Sequence, residues 1–235
     1  MSDTATAIVQ ARMGSQRCPG KSMELIGGIP VVEVVLKRLA KAERLDSVVL
    51  ATSDHARDSV LADAASDLGF EVFRGHETDL MMRYVEAAEK HAAGPYIVRA
   101  TGDNVFMDWA EIDRQVDAGI SGGWDFVGFN NPAHAEREND FGAEFIRVGA
   151  LQTVDNLTSD PYDREHVNPY FYDHADAFKV TRIDVSPDLH TAVKLDLDTP
   201  EDLALMKRIG NQVANPIDVL AADVVRAAET LSQNP

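Results

Sequence analysis

Residues 12–21 read RMGSQRCPGK, a window with three basic side chains, Arg12, Arg17 and Lys21, and no acid. The whole chain has 39 Asp and Glu against 22 Lys and Arg, a formal net charge of −17, so this window is a local positive island. Gly14 and Gly20 allow backbone amides to approach a ligand closely, and Ser15 adds a hydroxyl. Cations, open amides and a hydroxyl on one loop suit the oxygens of a polyphosphate. The glycine spacing fits neither GxxxxGK followed by Ser or Thr nor GxGxxG, so the loop is neither a Walker loop nor a dinucleotide fingerprint. The plain alternative is a solvated glycine loop that carries three bases.

Carboxylates supply the second candidate chemistry. Asp103, in TGDN at 101–104, follows an expected strand, and Asp196 and Asp198 stand two apart in LDLD at 195–198. If that stretch is a strand, both side chains point to one side. Three carboxylates from separate parts of the chain would offer hard oxygen ligands to Mg²⁺, with Mn²⁺ as a substitute; such ions keep several waters and take substrate phosphates. Taken singly, Asp103 reads more readily as a turn aspartate and Asp198 as a helix cap. Beside a basic phosphate loop, the three together favour a metal. Asp108 reads as the cap of a helix beginning near Trp109.

These groups need a scaffold. Short apolar segments alternate with longer ones of helical period: strands at Thr6–Val9, Val48–Ala51, Val72–Arg74 and Tyr96–Ala100, and helices at Pro30–Ala42, Ala56–Leu68 and Met81–Ala92. That alternation predicts an α/β fold, a mostly parallel central sheet with helices on both faces. The first loop, Gln10–Gly28, then leaves the carboxyl end of the first strand, where open parallel sheets bind ligands. Further strands, some of them antiparallel, are expected at Glu144–Val148, Phe178–Ile183 and Ala192–Leu195. A helix should start at Thr199-Pro200-Glu201-Asp202, and a last one should run over Ile217–Leu231. The polar segment Asn130–Asn139 predicts an exposed loop within 130–143. We expect one domain over 1–235, with a C-terminal helical extension at about 211–235.

Composition excludes several classes. At 45% hydrophobic and 26% charged, the chain is of globular type, and its acidity disfavours nucleic acid and anionic membrane. The single cysteine, Cys18, excludes an intrachain disulfide framework and fits a reducing compartment. No stretch approaches the ~18 apolar residues of a membrane span and no basic leader opens the chain, so a cytoplasmic location is expected.

The stretch IVQARMGSQRCPGKSMELIGGIPVVEVVLKRL resembles the start of the cytidylyltransferases of the spore-coat polysaccharide type. It is more distantly similar to the synthetases that make CMP-activated acylneuraminate and 3-deoxy-manno-octulosonate. In order there follow ATSD at 51–54, VFRGHETDLMMRY at 72–84, VRATGDNVFMD at 98–108, SDPYDREHVNPY at 159–170 and LDLDTPEDL at 195–203. The resemblance implies a GT-A-like nucleotide-diphospho-sugar transferase architecture and transfer of CMP from CTP to an acidic sugar. An acceptor oxygen would attack the α-phosphorus in line and pyrophosphate would leave. Arg12 and Lys21 would hold the triphosphate and, with Asp103, form the catalytic set. Ala11, Gly14, Ser15, Arg17 and Arg83 would join them in the nucleotide site; Asp103, Asp196 and Asp198 would hold metal; Glu144, Glu165 and His166 would meet the acceptor.

Arg74, Asp79 and Arg99 also match the pattern, although Asp79 and Arg83 read equally as a surface pair. Cys18 stands where the pattern has Leu and reads as a small hydrophobe. Two departures bear on the acceptor: Asn104-Val105 replaces a Cys-Pro-like pair, and ENDFGAEFIRV replaces a stretch with proline and glycine. The expected partners are CTP and an anionic small molecule, with a homodimer as the assembly. A GT-A-type glycosyltransferase is the main alternative, but its DxD after a central strand is not supplied by TGD. A nucleotidyltransferase of another base or acceptor, or a silent nucleotide-binding protein, stands further off.

Overall fold

The computed structural model describes residues 4–130 and 141–233. Its strands are β1 (Ala5–Gln10), β2 (Leu25–Ile26), β3 (Ile29–Pro30), β4 (Leu45–Ser53), β5 (Glu71–Gly75), β6 (Tyr96–Thr101), β7 (Phe126–Asn130), β8 (Glu144–Arg147) and β9 (Val180–Asp184). Its helices are α1 (Val31–Leu39), α2 (Ser59–Asp67), α3 (Leu80–His91), α4 (Trp109–Gly122), α5 (Val148–Leu157), α6 (Pro161–His166), α7 (Asn168–Asp173), α8 (Pro200–Gln212) and α9 (Ala221–Gln233). The central sheet runs β5-β4-β1-β6-β8-β7-β9, and β2 pairs with β3 in a separate hairpin. Every neighbouring pair in the central sheet is parallel except those of β8, which is antiparallel to both β6 and β7.

The two faces of the sheet follow the two-residue side-chain period. Ala7, Val9, Val98, Ala100, Val127 and Phe145 join the apolar side chains of α1, α4 and α9. Their neighbours Ile8, Ile97, Phe126 and Ile146 face α3, α5 and α7 instead. With both faces covered, the strands read as continuous apolar runs, which is why they are visible in the sequence. The buried Arg38 guanidinium donates to the carbonyls of Phe106, Met107, Pro216, Ile217 and Val219, tying the segment before α9 to α1. Burial draws its pKa down from 12.5 to about 10.

The chain path creates the site. From β1 it moves outward to β4 and β5, then returns to lay β6 on the other side of β1. Gln10, Ala51 and Thr101 stand level in the register, so the segments after β1 and β6 leave the same edge of the sheet. They pass so close that a Cβ on Gly102 would lie 2.9 Å from the Ala11 Cβ and 3.0 Å from the Gln10 carbonyl oxygen. The Gly102 N–H donates to that carbonyl at 2.8 Å.

Several expectations are corrected. Ala192–Leu195 is no strand; just after it Asp196 makes one isolated bridge, to Asn104 in the turn that follows β6, so the segment meets a loop and not a sheet strand. Gln10–Gly28 is not all loop, since it holds a 3₁₀ turn at Lys21–Met23 and the strand β2. The helix expected over Ala56–Leu68 opens with a 3₁₀ turn at Ala56–Asp58, and the last helix begins at Ala221, four residues after Ile217. Asp108 caps α4 by accepting from Ala110 and Glu111, and Thr199 caps α8 in a capping box with Asp202, both as their spacing predicts. The loop expected at Asn130–Asn139 lies, beyond Asn130, outside the described residues. Among the described residues no helix is long and apolar enough to cross a membrane.

Candidate active site

A crevice with two lobes opens at the carboxyl ends of β1 and β6. The first lobe, about 530 Å³, is lined by Ala11, Arg12, Ser15, Arg17, Lys21, Arg83 and Glu165. The second, about 470 Å³, is lined by Asn104, Glu144, Asn168, Tyr172, Lys194 and Asp196. Arg99, Thr101, Asp103, His166 and Asp198 line both, so the lobes form one groove with these five at its waist. Of the nucleotide, metal and acceptor residues expected from sequence, Gly14 alone is absent from this lining, and Arg74 and Asp79, which also match the pattern, lie outside it. A Cβ on Gly14 would meet only the guanidinium of Arg57, the movable end of an exposed side chain.

The basic loop is not bare. The Lys21 ammonium donates to the Leu197 carbonyl at 2.5 Å and lies 3.2 Å from Asp103 Oδ2 and 3.5 Å from Asp198 Oδ1. Arg17 meets the same Asp198 oxygen at 3.0 Å. Arg12 donates to the Glu77 carbonyl and lies 3.9 Å from Glu165. Arg83 is 1% exposed and donates to the carbonyls of His76 and Glu77, with its pKa pulled down by burial. The Asp79–Arg83 pair is therefore not made. Asp79 instead caps α3 and pairs with Arg164 at 2.7 Å. Arg74 bonds to the Ser53 and His55 carbonyls and to the Ser59 hydroxyl, outside the crevice lining. Cys18 is buried, as a small hydrophobe should be.

Lys194 escaped the sequence reading. It donates to Asp198 Oδ2 at 3.2 Å and to Asp202 Oδ2 at 2.5 Å. Asp202 also accepts the backbone N–H of Asp198 and of Thr199, so the capping box of α8 aligns the carboxylate next to it. Burial alone would raise the Asp198 pKa, but Lys21, Lys194 and Arg17 hold it below the usual carboxylate range. The only advance sign was the spacing Lys194–Asp198–Asp202, four residues each, across a segment that is extended and then helical.

In the second lobe, Arg99 pairs with Glu144 at 2.7 Å, both nearly buried, and Asn168 donates to the other Glu144 oxygen at 3.4 Å. Between His166 and Asn168 sits Val167, fully buried with φ 68 and ψ −59. A β-branched residue rarely adopts that backbone, and here it turns the chain from α6 into α7. Arg164 anchors α6 by bonding Asp79 and Asp155, and so seats Glu165 and His166 over the groove.

Asp103, Asp196 and Asp198 share the second lobe, but among the described residues no three His, Cys, Asp or Glu side chains are gathered as a ready metal cage. The space between Asp103 and Asp198 nevertheless suits a cation, since an ammonium sits there, and a divalent ion needs only a few carboxylates when phosphates complete its shell.

A parallel sheet with one antiparallel insert, and a crevice of cations and carboxylates at its switch point, define an α/β protein with its ligand site where open parallel sheets place one. Among solved structures it resembles a cytidylyltransferase from Leptospira borgpetersenii serovar Hardjo-bovis, with a TM-score of 0.88, 27% identity, and coverage of 98% of this chain and 95% of that one. The fold is shared with a CMP:2-keto-3-deoxy-manno-octonic acid synthetase complexed with CTP, at a TM-score of 0.69 and 16% identity over 89% of this chain and 99% of that one. By sequence the chain is 30% identical to the spore coat polysaccharide biosynthesis protein SpsF of Bacillus subtilis, over 97% of this chain and 94% of the relative. A family model described as cytidylyltransferase matches residues 6–225. The chain belongs to the cytidylyltransferase family.

Proposed function

We propose that the protein transfers CMP from CTP to an acidic, ulosonic-type sugar, releasing pyrophosphate, in the cytoplasmic synthesis of a surface polysaccharide. The observation that carries this reading is the continuous groove, whose basic lobe and polar lobe meet at Asp103 and Asp198. In it, Arg12, Arg17, Lys21 and Arg83 bind the triphosphate, with Ala11 and Ser15 lining the nucleotide. Backbone groups of Gln10 and Ala11 meet the base edge, where cytosine and uracil present opposite groups. Arg99, Glu144, Glu165, His166 and Asn168 orient the acceptor so that its hydroxyl lies in line with the α-phosphorus; in such a transfer positioning and charge neutralisation do most of the work. Asp103 and Asp198, with Asp196 beside them, would hold Mg²⁺ or Mn²⁺, which when bound supplies charge neutralisation on the phosphates. The names of SpsF and of the octonic acid synthetase support the acidic acceptor and the polysaccharide role. The working assembly is a homodimer.

The test is pyrophosphate release from each of the four nucleoside triphosphates, with and without candidate ulosonic acids. Release from CTP that depends on an acid sugar is the expected result. Equal turnover of UTP, ATP or GTP overturns the base assignment. Sugar transfer from a nucleotide sugar without pyrophosphate release returns the reading to a glycosyltransferase.

A further inference from the structure

We propose that Lys21 is a displaceable counterion: it holds Asp103 and Asp198 in place and is exchanged for a divalent cation, which releases it to the phosphates. The role in phosphate binding rests on the nucleotidyl-transfer reading of the same groove. The two oxygens of Asp198 are used differently. Oδ2 belongs to Lys194, which is itself locked by Asp202 and the capping box of α8. Oδ1 faces Lys21 and Arg17, both carried by the loop after β1. One oxygen thus has a fixed partner from its own segment, and the other has partners that belong to the phosphate loop.

Lys21 cannot serve two masters at once. Its side chain is 12% exposed, packed between Asp103, Asp198 and the Leu197 carbonyl. A divalent ion taking the same carboxylates would stand within a few ångströms of the ammonium, where like charges repel strongly at the reduced dielectric of a groove. A polyphosphate arriving without a cation would draw Lys21 away from both carboxylates, so it would meet Asp103 stripped of that ammonium and Asp198 with one of its three cations gone. Nucleotide and cation therefore bind cooperatively, each removing the obstacle to the other, and the coupling is the same from either side.

The experiment measures Mn²⁺ binding without nucleotide, by the electron paramagnetic resonance signal of free Mn²⁺, for the wild-type protein, Lys21→Met and Lys21→Gln. Circular dichroism melts establish that each variant is folded. Removing the ammonium should tighten Mn²⁺ binding by about tenfold or more, within the range of ordinary coupling energies. Mn²⁺ alone should then raise the melting temperature of the variants more than that of the wild type. Unchanged Mn²⁺ affinity in both variants overturns the proposal. Calorimetric titration of the wild type with CTP, with and without Mn²⁺, separates the two ideas. Tighter CTP binding with Mn²⁺ supports the coupling, and equal affinity overturns it while leaving the nucleotide site standing. No CTP binding at all, with the Mn²⁺ result intact, overturns the nucleotide reading and leaves Lys21 a counterion of a metal site.

Discussion

Each cation of the loop after β1 has a carboxylate within reach, so substitutions there remove charge from a balanced set. Arg12→Ala and Lys21→Ala should each lower kcat/KM on the order of 10²-fold, as loss of one preorganised charged donor does, while circular dichroism shows an intact fold. Asp103→Asn and Asp198→Asn keep shape and delete charge, and pyrophosphate release should fall to background in both; activity persisting in excess EDTA would remove the metal from the mechanism. Asp198 and Asp202 also set an acid limit on stability. For each, burial pushes the pKa up but the neighbouring cations and N–H donors bring it below the usual value. A carboxylate with a folded pKa below its unfolded one stabilises above the unfolded pKa, about 3.9, and that contribution is lost as pH falls through the lower folded value. Lys194→Met removes the shared partner, so its acid-unfolding midpoint should lie at higher pH than that of the wild type. An unchanged midpoint would show that Lys194 does not hold the pair.

The two chain segments that cross at Gly102 and the turn at Val167 carry the geometry of the groove. A methyl at 102 would press on Ala11 Cβ and the Gln10 carbonyl, both backbone-fixed. Gly102→Ala should therefore push the loop after β1 away from Asp103 and weaken CTP binding in calorimetry more than it lowers the melting temperature. Val167→Gly sets two effects against each other. Relief of the positive φ gains about 1–3 kcal/mol, whereas the lost buried side chain costs about 1.5–3 kcal/mol. The two nearly cancel, so the melting temperature should move by only a few degrees, roughly 2–4 °C per kcal/mol for a chain of this size. A fall beyond about 10 °C would mean that the strain is small and the side chain dominates.

Arg38 joins distant parts of the molecule. Its guanidinium serves five carbonyls from two segments and stacks on Trp109 at 4.9 Å. Arg38→Met fills similar space but strands buried acceptors, each worth about 1–3 kcal/mol when unsatisfied. We expect a loss of about 3 kcal/mol or more, seen as a melting temperature lower by roughly 6–12 °C. A shift under about 2 °C would mean that solvent reaches those carbonyls.

The α/β class, β1, β4, β5, β6 and their helices were legible because apolar periodicity and caps act over a few residues, as at Thr199 and Asp108. The short α6 and α7 carry too little periodic pattern to be seen. The antiparallel course of β8 is set by its neighbours β6 and β7, and not by its own residues. For the site, residues 12–21 announced a cationic loop, and Asp103, Asp196 and Asp198 announced carboxylates. Charge along the chain could not say that Lys21 and Asp198, 177 residues apart, neutralise one another. Nor could it show that Lys194 holds the second Asp198 oxygen. Such pairings depend on where the sheet reverses its direction of growth, which brings the ends of β1 and β6 together and lays the LDLD segment across them; Coulomb attraction acts on distance in space, and only the folded path sets that distance.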